Sequence, residues 1–376
     1  MRIAQVAPLA ESVPPKLYGG TERVIAWLIE ELVELGHDVT LFASGDSVSS
    51  ATLIPVWPRA LRLGRPRSDP AVAHAALLEA VARRAAEFDV IHCHTDWTHL
   101  PLLTRLGVPF LTTLHNRLDT PGLPDVVHQF PDAPFISISN DQRVPLPGAY
   151  WLGTIIYHGL PPDSLRPSLG AGSYLAFLGR LTAEKGPEAA IRLARAASMP
   201  LCIAAKVPRA ERGYFKEQIE PLVDGKQIEL VGEVNDRTKE SFLANAAALL
   251  FPINWPEPFG SVMVEAMACG TPVIAFRRGS VPEVVEHGVT GFIVDEEEQA
   301  LQAIKHLPEL DRKRVRDGFE RRFTARRMAE DYVRHYQLLL EDTSMSARRL
   351  EARLVENHGQ RDAGEIPHGT SGTTRP

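Results

Sequence analysis

The sequence contains only three cysteines among 376 residues, and no apolar run is long enough to span a membrane. The cysteines (Cys93, Cys202 and Cys269) lie in apolar stretches without the spacing of disulfide frameworks or metal sites, so we expect a reduced, cytoplasmic protein. Basic charge is not in excess, since 41 Lys and Arg stand against 47 Asp and Glu, and the formal net charge is −6. We therefore expect no nucleic-acid partner and at most peripheral membrane contact.

The length and the regular alternation of patterns indicate two domains. A chain of 376 residues is too long for one hydrophobic core. Apolar strand-like runs alternate with helical patterns, which is typical of doubly wound α/β sheets. A Pro- and Gly-rich stretch over 161–172 predicts a linker. We expect a Rossmann-like N-terminal domain (1–160), a Rossmann-like C-terminal domain (173–324), a helix that crosses back (325–342) and a polar, disordered tail (343–376).

The first half opens with a strand, a loop that holds Gly19 and Gly20, and a helix over 21–35, as in a Rossmann unit. Such a loop lets the backbone approach a ligand closely, although a structural turn would explain the two glycines as well. The dinucleotide fingerprint Gly-x-Gly-x-x-Gly is absent, which argues against a dehydrogenase. Further strands are predicted over 38–43, 88–93, 110–114, 135–139 and 154–157, with a helix over 69–87.

The second half repeats the alternation. Four arginines near its end form a basic cluster, which we interpret as a solvated helix face rather than a lipid-binding patch: Arg321, Arg322, Arg326 and Arg327. The predicted strands cover 174–178, 201–205, 228–231, 248–251, 272–276 and 291–294. The first predicted helix begins near Pro187, and the others cover 214–223, 236–245, 296–306, 312–322 and 325–340.

Residues 252–274 carry the most informative pattern. A loop with three prolines contains Glu257, and the short helix that follows carries Glu265. Carboxylates accept hydrogen bonds from hydroxyls, and the free N–H groups at a helix N-terminus bind anions such as phosphate. A nucleotide sugar offers both kinds of group, whereas the glutamates alone would also fit a surface helix and a loop charge. The N–H groups are those of Gly260, Ser261 and Val262.

The same stretch resembles the E-x7-E motif of the retaining glycosyltransferases of family 4, including the run Ala-Met-Ala-Cys-Gly-Thr-Pro-Val-Ile that follows it. The resemblance extends over roughly residues 1–340. It implies that Glu257 contacts outer hydroxyls of the transferred sugar and that Glu265 holds the ribose. It also implies the GT-B fold, in which two Rossmann-like domains face each other across a cleft. The second domain would bind the nucleotide sugar and the first the acceptor.

Arg180 and Lys185 lie in a loop between a predicted strand and a predicted helix, where a planar guanidinium and an ammonium are suited to clamp a diphosphate. A solvated basic loop is the alternative. The run Gly-Arg-Leu-Thr-Ala-Glu-Lys-Gly resembles the family's Gly-Arg-Leu-x-x-x-Lys-Gly, whose Arg and Lys neutralise the donor phosphates. Members of the family also hold a Gly-Gly loop like that of Gly19 and Gly20 against the donor diphosphate and the acceptor.

Two histidine-containing segments follow predicted strands of the first half, and the carboxyl ends of parallel strands are where such sheets bind ligands. These segments resemble the His-Ala-His-Asp-Trp and Thr-Val-His-Asn segments of bacterial glycogen synthases. The resemblance implies that His115 lies beside the reacting sugar and that His94 and Asp96 face the acceptor. Thr95 separates His94 from Asp96, whereas the related pattern has them adjacent, so either one could point inward. His158 is interpreted as part of a turn into the linker.

Together these resemblances imply a hexosyltransferase that retains anomeric configuration. UDP-glucose is the first candidate for the donor, before GDP-mannose and UDP-N-acetylglucosamine, and the acceptor is a carbohydrate or glycoconjugate. Because no Asp-x-Asp pair occurs in the sequence, we expect no metal and no other cofactor. Two alternatives stay open, a sugar-nucleotide epimerase of the same fold and a non-catalytic nucleotide-sugar-binding protein.

Overall fold

The computed structural model describes residues 1–16, 19–65 and 68–342. These residues form two six-stranded sheets with helices packed on their faces. The tail predicted over 343–376 lies outside the described residues.

The first sheet is formed by the N-terminal part of the chain. Its strands are β1 (Arg2–Val6), β2 (Asp38–Ser44), β3 (Thr52–Trp57), β4 (Val90–Cys93), β5 (Phe110–Thr113) and β6 (Phe135–Ile136). Their order is β3-β2-β1-β4-β5-β6, and all pairings are parallel. The central strands are buried on both faces, which explains their nearly continuous apolar sequence.

Four helices pack on this sheet: α1 (Gly20–Glu34), α2 (Pro70–Arg84), α3 (Leu100–Leu106) and α4 (Leu123–His128). The apolar stripe of α1 faces the sheet, with Ile25, Leu28, Ile29 and Leu32 fully buried. This is the face that the sequence periodicity predicts.

Two features of the first sheet differ from the prediction. Strand β3 was not predicted, because Pro55 interrupts its pattern and its side chains are only partly buried, as befits an edge strand. The strand predicted over 154–157 is wrong. That segment makes one backbone hydrogen bond to the end of the sheet, from Ile156 N to Ser137 O (3.0 Å), and Gly153 turns the chain with φ of 63°. Its apolar side chains pack between the two halves of the molecule instead.

The second sheet has the order β12-β11-β10-β7-β8-β9 and is parallel throughout. The central strand β10 is buried at all six positions. The strands of this sheet are β7 (Tyr174–Arg180), β8 (Leu201–Lys206), β9 (Ile228–Gly232), β10 (Ala246–Phe251), β11 (Val273–Phe276) and β12 (Gly291–Val294).

Its helices are α5 (Pro187–Ala196), α6 (Arg212–Tyr214), α7 (Asp236–Ala244), α8 (Ser261–Ala268), α9 (Val281–Val284), α10 (Glu297–Lys305) and α11 (Arg312–Arg322). The helix predicted over 214–223 is irregular, since α6 continues as a π-helix (Phe215–Ile219) and ends in a 3-10 turn (Glu220–Leu222). Pro221 lacks the N–H that a regular α-helix needs at this point.

The last described helix, α12 (residues 325–342), returns to the first sheet. Backbone hydrogen bonds from Leu160 N to Phe323 O (2.9 Å) and from Ala325 N to Leu160 O (2.8 Å) lead into it. Its buried face completes the core under the first sheet with Met328, Ala329, Tyr332, Tyr336 and Leu339.

The basic cluster near the start of α12 is neutralised by ion pairs. Arg321 and Arg322 pair with Glu286, whereas Arg326 pairs with Glu31 and Glu330 and Arg327 pairs with Asp331. Arg321 and Arg326 are solvent-exposed, as expected for a solvated helix face, whereas Arg322 and Arg327 are mostly covered.

Candidate functional site

The loop between β10 and α8 is fixed by a glycine. Gly260 caps α8 with φ of 71°, and a Cβ there would lie 2.7 Å from Met263 Cε and 3.1 Å from Phe251 Cζ. Only glycine fits this conformation and this space. The first N–H groups of α8, at Ser261 and Val262, therefore stand at the end of the Glu257 loop without intrahelical partners.

Glu257 and Lys185 form an ion pair in which the ammonium donates to Glu257 Oε2. The two side chains are 13% and 14% exposed, so the pair is shielded from solvent. The Lys185 ammonium also lies 4.7 Å from the centre of the Trp255 ring. The structure thus brings together two residues that the sequence assigned to the sugar and to the phosphates.

The backbone of Glu257 is held by the loop after β11. Ser280 N donates to Glu257 O at 2.9 Å, and a Cβ at Gly279 (φ 55°) would lie 2.3 Å from Glu257 N. The loop after β7 is held in the same way, since a Cβ at Gly186 would lie 2.1 Å from Pro252 O. The loops after β7, β10 and β11, at the carboxyl edge of the second sheet, therefore hold one another in place around Glu257.

Arg180 lies at the end of β7, near Lys185 in sequence but with a different partner. Its Nη2 donates to Glu184 Oε1 at 3.2 Å, and both of these side chains are 38% exposed. Arg180 Nε is buried and has no hydrogen-bond partner in the described part of the chain. The guanidinium therefore keeps donor capacity for a ligand.

Glu265 is almost buried in α8 and pairs with Lys239 of α7 at 2.7 Å. Lys239 was not singled out in the sequence analysis. Because 26 residues separate the two partners, no local pattern reveals this contact.

The ends of β4 and β5 bring His94 and His115 together, with His94 Nδ1 and His115 Nε2 2.8 Å apart. The other nitrogen of His94 lies 2.8 Å from Gln5 Oε1 in β1, and the His94 ring is only 2% exposed. Between His94 and Asp96, it is thus His94 that points into the protein. Both of its nitrogens have protein partners.

Asp96 lies nearer the surface. It has φ of 52°, and both carboxylate oxygens accept from Asn116 Nδ2, at 3.3 and 3.4 Å. Burial raises the pKa of Asp96.

His158, interpreted from the sequence as a linker turn, belongs to this cluster. Its Nε2 lies 3.3 Å from His115 Nδ1, and the two rings stack at 5.1 Å. Burial lowers the pKa of His94 and His158 well below the usual value and that of His115 to about 3, so all three rings are neutral near pH 7. The sequence held one signal for this role, since His158 ends an apolar run as the other two histidines do.

Gly19 and Gly20 lie at the N-terminus of α1. A Cβ at Gly19 would lie 2.8 Å from Pro15 Cβ and 3.0 Å from Glu22 Oε2, whereas a Cβ at Gly20 would meet no atom of the described residues within 4 Å. Burial raises the pKa of Glu22. The loop is therefore tightly packed at Gly19, and Gly20 is the position that a ligand could approach.

The histidine cluster meets the Glu257 loop across the boundary between the sheets. The His158 ring lies 5.0 Å from Phe259, and the Arg117 guanidinium lies 5.1 Å from the centre of the Trp255 ring. The candidate site thus combines the N-terminus of α8, two shielded carboxylates and two cations from one half with neutral imidazoles from the other.

The described ranges hold neither a candidate membrane span nor a candidate metal site. No helix within them is both long and apolar enough to cross a membrane. No three His, Cys, Asp or Glu side chains of the same ranges cluster in a way that would hold a metal ion.

Comparison with known families matches both halves of the chain. Residues 170–321 match the family described as glycosyl transferases group 1, and residues 18–141 match glycosyltransferase family 4. The first match contains Arg180, Lys185, Glu257 and Glu265, and the second contains His94, Asp96 and His115.

Individual relatives agree with these matches. The phosphatidyl-myo-inositol mannosyltransferase of Mycolicibacterium smegmatis is 26% identical over 87% of this chain and 89% of its own length. The crystal structure of AviGT4, a glycosyltransferase involved in avilamycin A biosynthesis, is 26% identical and superposes with a TM-score of 0.68 over 90% of this chain and 98% of that chain. HepE of Anabaena, solved with UDP-glucose, has the same fold, with a TM-score of 0.68 and 21% identity over 92% of this chain and 100% of its own.

The chain has two parallel α/β sheets, one in each half. Together with the matches above, this architecture defines a glycosyltransferase of the GT-B fold. The fold and the function class expected from the sequence are thereby confirmed. Within that class, the N-terminal match is to glycosyltransferase family 4 and the C-terminal match is to glycosyl transferases group 1.

Proposed function

We propose that the enzyme moves a hexose from a nucleoside diphosphate sugar to a hydroxyl of a glycan, a lipid-linked sugar or a small molecule, with retention of anomeric configuration. UDP-glucose is the first candidate for the donor, because HepE binds it. A mannosyl donor is the second, because one relative is a mannosyltransferase. The observation that carries the proposal is the shielded pair of Glu257 and Lys185 beside the N-terminus of α8.

In this proposal the second domain binds the donor. The N–H groups of Gly260, Ser261 and Val262 and the side chains of Arg180 and Lys185 surround the diphosphate. Glu265 accepts hydrogen bonds from the ribose hydroxyls. Negative charge develops on the diphosphate as it leaves, and each well-placed donor stabilises that charge by about 3 kcal/mol. These cationic groups make a metal ion unnecessary.

Bond changes at the sugar follow from this arrangement. The bond from the anomeric carbon to the diphosphate breaks, and a bond to the acceptor oxygen forms on the same face of the ring. The acceptor proton passes to the leaving diphosphate. Glu257 orients the sugar hydroxyls and favours the positive charge of an oxocarbenium-like transition state. Its carboxylate is not a covalent nucleophile in this scheme.

The first domain binds the acceptor. Gly20 of the Gly19–Gly20 loop and Asp96 lie at the edges of the acceptor site, and the cluster of His94 and His115 lies beneath this site.

The three cysteines are unpaired, in keeping with a cytoplasmic reaction.

A thermal-shift screen against UDP-, GDP- and ADP-sugars tests the proposal. A ligand that binds only the folded protein at 100 times its Kd stabilises it by about 2.7 kcal/mol. We expect one sugar nucleotide to raise Tm in the wild type and not in Arg180→Ala. Arg192→Ala is the control, because Arg192 is an exposed arginine of α5 that pairs with Glu297. If none of these nucleotides raises Tm, the proposed donor class is wrong.

A further inference from the structure

A path of hydrogen bonds leads from the core of the first domain to the domain boundary. Gln5 Nε2 donates to the Tyr336 hydroxyl at 3.1 Å, and Gln5 Oε1 lies 2.8 Å from His94 Nε2. A carboxamide oxygen can only accept, so His94 Nε2 carries the hydrogen. His94 Nδ1 of this neutral ring is then an acceptor.

The same reasoning shows which nitrogen carries the hydrogen in His115 and in His158. His115 Nε2 must donate to His94 Nδ1 (2.8 Å), which leaves His115 Nδ1 as the acceptor for His158 Nε2 (3.3 Å). All three imidazoles therefore carry hydrogen on Nε2. Both nitrogens of His94 and His115 have protein partners, so neither ring has a nitrogen left for a substrate.

The path ends at His158 Nδ1, a buried acceptor with no hydrogen-bond partner in the described residues. The His158 side chain is 5% exposed. An unsatisfied buried acceptor costs about 1–3 kcal/mol, so its presence calls for an explanation.

The position of His158 points to the explanation. Its ring stands between His115 on one side (5.1 Å) and Phe259 on the other (5.0 Å). Phe259 follows Glu257 by two residues, so the His158 ring lies where the first domain meets the loop proposed to hold the sugar. A carbohydrate presents hydroxyl donors at such a place.

We propose that His158 Nδ1 accepts a hydrogen bond from a hydroxyl of the carbohydrate substrates, while His94 and His115 act as positioning residues that hold its ring and its tautomer. The proposal rests on the proposed function. The hydroxyl belongs either to the donor hexose or to the acceptor.

The tautomer can be measured without any substrate. In the full-length protein labelled with 15N-histidine, NMR correlation of the ring nitrogens should show hydrogen on Nε2 of His158 and a bare Nδ1. The His158→Phe variant assigns the signal by removing it. A hydrogen on Nδ1 in the free protein would overturn the proposal.

Ligand additions then identify the source of the hydroxyl. The probes are UDP, UDP-glucose, and UDP with free glucose. A change of the Nδ1 resonance with UDP-glucose and not with UDP assigns the hydroxyl to the donor hexose. A change only with UDP and glucose together assigns it to the acceptor side. If UDP-glucose binds and no probe moves the resonance, an ordered water satisfies Nδ1 and the proposal is wrong. If UDP-glucose does not bind, only that donor is rejected. The tautomer of His158 is measured on the free protein, so that test does not depend on the donor.

Turnover with the donor found in the screen gives a separate readout. His158→Phe keeps the ring contacts and removes the nitrogen, and we expect kcat/KM to fall about 10- to 100-fold. His158→Asn, whose Oδ1 can replace Nδ1 as the acceptor, should recover most of the loss. Normal turnover in His158→Phe contradicts the proposal.

The matched control is His335→Phe. His335 is also 5% exposed and also has one buried nitrogen without a partner, but that nitrogen faces Gly153. This variant should keep the wild-type kcat/KM. An equal loss in both variants would reduce the role of His158 to packing and so overturn the proposal.

Discussion

Glu283 reaches from the second domain to the first, where its Oε2 accepts a hydrogen bond from Asn140 N at 2.8 Å. The same oxygen accepts from Asn140 Nδ2 (3.0 Å), and Oε1 accepts from Asp141 N (2.9 Å). Asp141 begins a 3-10 helix, so a carboxylate of one domain caps a helix of the other. This contact holds the two sides of the cleft at a fixed separation.

Removing this cap should loosen the domains. In Glu283→Ala four hydrogen bonds are lost, because the Tyr157 hydroxyl also donates to Glu283 Oε2 at 3.3 Å, and we expect a fall of about 1–3 kcal/mol in the free energy of unfolding. We also expect a larger radius of gyration in solution scattering. Glu297→Ala, which removes an exposed carboxylate of the same domain, controls for charge. Identical scattering from wild type and Glu283→Ala would show that other contacts hold the domains together.

Glu257 and Lys185 should be strongly coupled in the free enzyme. Either Lys185→Met or Glu257→Gln leaves the other charge shielded without its partner, which costs about 3–5 kcal/mol for buried pairs. The double variant removes both charges, so it should lose less stability than the sum of the single variants. Urea unfolding of the four proteins measures the coupling. Strictly additive losses would mean that the pair does not form in solution.

Gly279 should tolerate no side chain. In Gly279→Ala the Cβ would lie 2.3 Å from Glu257 N in a backbone with φ of 55°. We expect a loss of at least about 1–3 kcal/mol from strain, together with loss of turnover as the Glu257 backbone moves. Gly213→Ala is the comparison, because a Cβ there meets nothing within 4 Å. The prediction is wrong if Gly279→Ala melts and turns over like the wild type.

Stability should fall steeply in mild acid. Burial lowers the pKa of five histidines of the described ranges well below the usual value, two of them, His99 and His115, to about 3. The others are His92, His94 and His158. Unfolded histidines titrate near 6.5, so between about pH 6.5 and 3 the unfolded chain binds more protons than the folded protein. Stability is therefore complete above this window and is lost as pH falls through it.

Each such histidine contributes up to about 1.4 kcal/mol per pH unit to this loss. Urea unfolding at a series of pH values from 7.5 to 5 measures the slope. His99→Phe removes one buried imidazole and should reduce the slope by that amount. A stability that is flat between pH 7 and 5 would contradict the neutral, buried state of the cluster.

The fold was predictable because its signals are local. Apolar runs, glycine and proline positions and helical periodicity determine most elements, and the parallel arrangement brings strand ends to one edge. For this reason His94 and His115 could be expected to meet. The two strand errors arose where local pattern and burial disagree, at the Pro-containing edge strand β3 and in the buried but irregular segment 154–157.

The pairing within the site was not predictable in the same way. Lys239 and Glu265 lie in different helices, and Gln5 and His94 lie in different strands 89 residues apart. The packing of the whole domain decides which polar groups become hydrogen-bond or ion-pair partners. A single sequence carries no pattern that predicts these pairs. The orphaned nitrogen of His158 could be found only after every neighbouring partner was known.

The return of α12 to the first domain also sets the order in which the protein can mature on the ribosome. Tyr332 and Tyr336 belong to the N-terminal core, and the Tyr336 hydroxyl accepts a hydrogen bond from Gln5, which precedes it by 331 positions in the chain. The C-terminal sheet can close as soon as its own strands have emerged. The N-terminal half must wait for residues translated more than 300 positions later, so a prematurely terminated chain carries an unfinished N-terminal domain beside a finished C-terminal domain.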